Sequence, residues 1–145
     1  MHTKGTIVHM RRGGREQGAS AVEFAIILPL LVVLVVGIIE FGFAFNRQQS
    51  FHAASREGAR LVAVGYDLGT VRETVLDQAS GTVARDDISV ELVGEGCDGS
   101  GDPDDLVTVR VQLSNPGPYA IRIPFIPQGN PSFQSDATFR CEVQP

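Results

Sequence analysis

The chain is short of histidine. It has three, and His2 and His9 fall in the first nine positions, leaving His52 alone downstream. No Ser/His/Asp or Cys/His catalytic set can be assembled in the body from one histidine, and a single imidazole on a helix reads as solvated. No glycine-rich phosphate loop follows a strand. The acidic stretch 97–105, CDGSGDPDD, carries oxygen ligands but places Pro103 where a calcium loop needs glycine, and no glutamate closes it. It reads as a solvated turn. No internal repeat is visible. These absences leave no active site, no metal and no cofactor to assign, and the expected protein is not an enzyme.

Charge is absent where it matters most. Residues 24–39 read FAIILPLLVVLVVGII, with no ionisable group and with Pro29 and Gly37 as the only helix weakeners. Thirteen of the sixteen are Leu, Ile, Val or Phe, which together favour a bilayer by roughly 4–8 kcal/mol. Residues 19–22 and 41–45 extend the run toward the usual span of about twenty. Glu23 and Glu40 sit near its two ends, about 25 Å apart along a helix, so each can lie near an interface. The run is hydrophobic all round, which excludes an amphipathic surface helix. It predicts a transmembrane helix over 19–46.

Alternatives to a spanning helix are weaker. A cleavable secretory signal needs small residues past the apolar run, where the chain instead has FGFAF at 41–45. Arg11-Arg12 suggests a twin-arginine signal, but polar residues follow the pair. Residues 1–18 hold Lys4, Arg11, Arg12 and Arg15 against Glu16, a leader of about +3 in a chain of net charge −5. That asymmetry predicts a leader held in the cytoplasm and an acidic body exported. An acidic body also argues against a nucleic-acid partner.

Roughly a hundred residues follow Asn46, enough for a small and marginal core. The helix is expected to continue past the membrane, because Phe51, Ala54, Gly58, Leu61, Val62 and Gly65 recur at three and four. Ala54 and Gly58 form a small-xxx-small pair, which serves equally for packing inside the body or against another subunit. Gly65, Asp67 and Gly69 interrupt the helix. A second one is predicted over 70–83, with Val71, Val75, Leu76 and Ala79 on its apolar side. Period-two alternation then predicts strands over 88–93, 106–113 and 137–143. Residues 115–135 hold five of the eight prolines and read as a long irregular loop, with at most a short segment over 119–125. The body, 47–145, is thus α+β: helices on a small antiparallel sheet. Export would put Cys97 and Cys141 in an oxidising compartment, where pairing them closes a loop of about forty-five residues; two reduced, buried thiols are the alternative.

Residues 15–24, REQGASAVEF, followed by the apolar helix and by AASREGAR over 53–60, resemble the TadE-like family of minor pseudopilins from tight-adherence (Flp-type) pilus systems. The likeness covers roughly residues 12–65 and implies a pilin-like architecture. It also implies that a membrane prepilin peptidase cuts between Gly18 and Ala19, making Glu23 the fifth residue of the mature chain. Gly18 has no side chain to obstruct such a cut, which would free an amine on Ala19. A carboxylate in lipid is costly unless paired. Glu23 either pairs with that amine, in its own or a neighbouring subunit, or snorkels to headgroups. Ala19 stands where major type IV pilins commonly have a bulky residue, and the body is far larger than that of short Flp pilins; both favour a minor subunit.

The implied protein is processed, sits in the cytoplasmic membrane with its body outside, and works with lipid, the peptidase, other pilin subunits and the tight-adherence assembly machinery. The competing expectation is an unprocessed single-pass anchor whose exported domain binds a ligand or envelope partner.

Overall fold

A computed structural model describes residues 14–94, 96–97 and 105–142, with side chains from Gly18 onward. Most of the basic leader and of the acidic turn at 98–105 lies outside the described residues. Helix α1, Gly14–Ala63, is continuous for 50 residues and carries Pro29 within it. Its membrane-type half and its body half are therefore one rod, as the periodicity past Asn46 predicts. Gly65 ends it, at φ 86°. Tyr66 N–H donates to the Leu61 carbonyl (3.0 Å) and Gly65 N–H to that of Val62 (2.9 Å), closing the last turn with a left-handed residue that only glycine adopts freely.

Helix α2, Leu68–Ala79, starts two residues before the predicted 70 because Asp67 caps it, accepting from Thr70 N–H at 3.0 Å. That cap holds the Asp67 carboxyl below its ordinary range, chiefly through the hydrogen bonds from Thr70. The helix stops at Ser80-Gly81, short of the predicted Val83, which is nonetheless buried. Its buried face is Val71, Val75, Leu76 and Ala79, the four residues the sequence singles out.

Strands β1 (Ile88–Val93), β2 (Leu106–Leu113) and β3 (Gln134–Arg140) form one antiparallel sheet in the order β1-β2-β3. Strand β3 begins three residues before the predicted 137 and ends before Cys141. Its inward positions start with the polar Ser135, which apolar alternation cannot reveal. Val107, Val109 and Val111 point into the core, while Thr108, Arg110 and Gln112 face out. One face of the sheet packs on α1 and α2 and the other meets water, an α+β arrangement. On the wet face Glu91, Arg110 and Asp136 lie in register across the three strands. Arg110 grips Asp136 with two bonds of 2.9 and 2.8 Å, and this pairing holds the Asp136 carboxyl below its usual range.

Cys97 and Cys141 are joined in a disulfide, with Cα atoms 5.6 Å apart. Cys97 follows β1 and Cys141 follows β3, so the bond ties the two edge strands together beyond the start of β2. Next to it, Cys141 N–H donates to the Asp105 carbonyl and Glu142 N–H to the Ala63 carbonyl. The C-terminal segment is thereby fastened to the end of α1.

Candidate functional site

The site with most to offer is the part of α1 that the body leaves bare. Between residues 18 and 63 the chain has one helix long and apolar enough to cross a membrane, and none of its most apolar window is buried in the body. Ile26, Leu30, Leu34 and Ile38 are 73, 72, 60 and 66 % exposed, far above what a soluble fold tolerates for a contiguous apolar surface. The arrangement is that of a single-pass membrane protein.

At its start Gly18 stands in open space, with no heavy atom within 4 Å of where a Cβ would be. Ala19 and Glu23 are both exposed and four residues apart in α1. They are neighbours on one helix face, about 5–6 Å apart at Cβ. An amine generated on Ala19 would meet the Glu23 carboxylate within its own chain or across to another. The Gly18–Ala19 peptide lies inside the helix, so a cut there would require the first turns to open, which Gly18 eases by about 1 kcal/mol relative to alanine.

Ala54 and Gly58 belong to a different place. Ala54 is fully buried, and a Cβ on Gly58 would fall 2.5 Å from Val75 Cγ2 and 3.2 Å from Val109 Cγ1. The small pair is where α1 passes under α2 and β2 of its own chain. Gly58→Ala gains helix propensity of about 1 kcal/mol but must displace two branched side chains in a filled core. The expected net result is a loss of about 1–2 kcal/mol, read as a lowered denaturation midpoint of the detergent-solubilised protein.

His52 is not the solvated, lone histidine that the sequence suggests. Its Nδ1 is 2.6 Å from Ser135 Oγ, and its Nε2 is 3.1 Å from Gln48 Nε2. Ser135 Oγ lies 2.9 Å from Ser55 Oγ, and Ser55 donates to the His52 carbonyl at 3.2 Å. The direction of this chain follows from its ends. The Gln48 amide nitrogen can only donate, so His52 Nε2 accepts and Nδ1 carries the proton toward Ser135. Ser135 must then donate to Ser55. This polarity is opposite to that of an activated serine, whose hydroxyl gives its proton to imidazole. Ser135 is also 3 % exposed, closed to any substrate. The cluster joins α1 to β3; Gln48 Nε2 adds a bond of 2.9 Å to the Gln134 carbonyl.

Cys97, Asp105 and Cys141 bring ligand-type atoms within 4.8 Å of one another. Both sulfurs are already spent in the disulfide, so the cluster offers no thiolate to a metal.

Against known proteins, residues 18–60 match the family model described as TadE-like protein. The matched segment runs from the predicted cleavage glycine through the bare apolar helix to the first turns inside the body, and it is the family that the junction's sequence resembles. No curated protein and no solved structure matches the chain significantly.

Proposed function

We propose that this chain is a minor pseudopilin of a tight-adherence pilus. A prepilin peptidase clips it between Gly18 and Ala19, and it assembles through the bare half of α1 to support pilus biogenesis and adhesion. The observation that carries the reading is the TadE-like match beginning at Gly18, on a helix whose residues 18–32 are exposed all round and which stays largely exposed up to about residue 43. In this reading the basic leader stays in the cytoplasm and the disulfide-bonded body emerges on the far side. Glu23, otherwise expensive in lipid, pairs with the new amine of Ala19 and fixes the axial register between subunits. The action is packing and charge pairing rather than catalysis, consistent with a Ser135–His52 pair polarised away from nucleophilic use.

The test is the state of the N-terminus. Membranes from cells with and without the prepilin peptidase should give different intact masses, with a chain starting at Ala19 only where the peptidase is present. Full-length protein in both strains would replace this reading with an unprocessed anchor bearing an exported binding domain.

A further inference from the structure

The proline-rich segment after β2 runs down α1 instead of staying with the body. Tyr119 lies level with Arg47, whose guanidinium carbon is 5.1 Å from the ring centroid. Four residues later, Ile123 Cδ1 lies 4.0 Å from where a Cβ on Gly37 would stand. From Arg47 to Gly37 is about 15 Å of helix, and four extended residues span about 14 Å, so the segment descends nearly straight. Its shadow is a half-buried stripe on α1 at Val33, Val36, Gly37, Glu40 and Ala44, in a region otherwise exposed. Gly37 lies within the uncharged run 24–39, so this segment reaches membrane depth.

At the bottom it turns. Ile126 N–H donates to the Ile123 carbonyl at 3.2 Å, Pro124 and Phe125 form the corner, and Phe125 holds φ 66°. A corner of that kind favours glycine at the second position; here an aromatic ring occupies it and is 91 % exposed, beside Ile126 at 51 %. The charge pattern agrees. In a chain with seventeen acidic residues, none falls between Asp105 and Asp136, and the exposed cation next to the turn is Arg122.

We propose that the turn at 123–126 is an interfacial membrane anchor. Phe125 and Ile126 sink into the headgroup and upper acyl region of the leaflet from which α1 emerges, and Arg122 faces anionic headgroups. An apolar tip beside a basic residue is the composition that binds such a boundary. The ligand is a lipid surface, and the inference rests on α1 spanning the membrane. Two attachments, helix and turn, would fix the tilt and rotation of the body against the bilayer.

The chain has no tryptophan, so single substitutions report position directly. Full-length Phe125→Trp, Leu31→Trp and Tyr66→Trp proteins would be reconstituted into phosphatidylglycerol/phosphatidylethanolamine vesicles containing lipid brominated near the headgroup end of its chains. Leu31 lies in the apolar run and Tyr66 beyond the far end of α1, about 40 Å from Gly37. The expected result is bromolipid quenching of F125W at least about threefold stronger than that of Y66W, with weak quenching by aqueous acrylamide. F125W quenched by acrylamide as readily as Y66W would overturn the anchor while a quenched L31W leaves the membrane helix standing. Shielding of F125W from both quenchers would place the ring against another protein copy and also overturn it. An L31W insensitive to bromolipid, including lipid brominated at its chain ends, would remove the membrane reading itself, and the anchor with it.

Discussion

Replacing Cys97 and Cys141 together by alanine should cost the body about 4 kcal/mol, the entropy released when a loop of some forty-five residues is opened in the unfolded chain. For a domain of about a hundred residues that is a large share of a total near 5–15 kcal/mol. It corresponds to a fall in Tm of roughly 15–30 °C, measured by circular dichroism on the solubilised full-length protein. The apolar half of α1 stays helical in detergent, so the transition reports the body. The loss should exceed the entropic figure if the neighbouring bonds go too, because Cys141 N–H and Glu142 N–H hold Asp105 and Ala63 beside the disulfide. Reductant should lower the wild-type Tm to that of the double variant and leave the variant unmoved. A wild-type protein indifferent to reductant would show that the sheet closes without this bond.

What the sequence reveals and what it hides divide along a physical line. Helix α1, the buried face of α2 and the limits of β1 and β2 are legible because each follows from a local period: three and four for Val71, Val75, Leu76 and Ala79, two for Val107, Val109 and Val111. The disulfide is legible because only two cysteines exist, and the membrane helix because sixteen uncharged residues have no other stable home. The start of β3 is hidden by Ser135, an inward residue that is polar because His52 and Ser55 satisfy it. That partnership spans eighty-three positions, and no local pattern encodes it. The fate of the small pair is hidden for the same reason: Ala54 and Gly58 describe a close approach without naming the partner, and the structure supplies Val75 and Val109 from the same chain. The descent of residues 119–123 is the least legible feature. Prolines fix their own φ but say nothing of where an extended segment will lie.

The remaining question is how one helix serves two solvents, and Phe51 is where it changes over. Five residues earlier α1 is exposed around most of its circumference, with Phe41, Phe43 and Phe45 between 58 and 66 % exposed. Phe51 itself is fully buried and meets Phe133 edge-on, centroids 6.5 Å apart at 77°. Gln48 and His52 bond across to β3 on either side of it. Phe51→Ala would leave a cavity at this joint that the rigid helix and sheet cannot collapse to fill. The expected cost is about 3–5 kcal/mol, measured as the denaturation midpoint of the body. Phe51→Leu, which keeps most of the volume, should recover the greater part of it. Phe45→Ala removes the same ring from a position facing away from the body and should leave that midpoint unchanged. Equal losses at Phe45 and Phe51 would mean that the body grips the Phe45 face of α1 as well as the stripe beneath residues 119–123. The joint would then extend along the bare helix, and the part of α1 free to contact lipid or neighbouring subunits would be shorter than the exposures indicate.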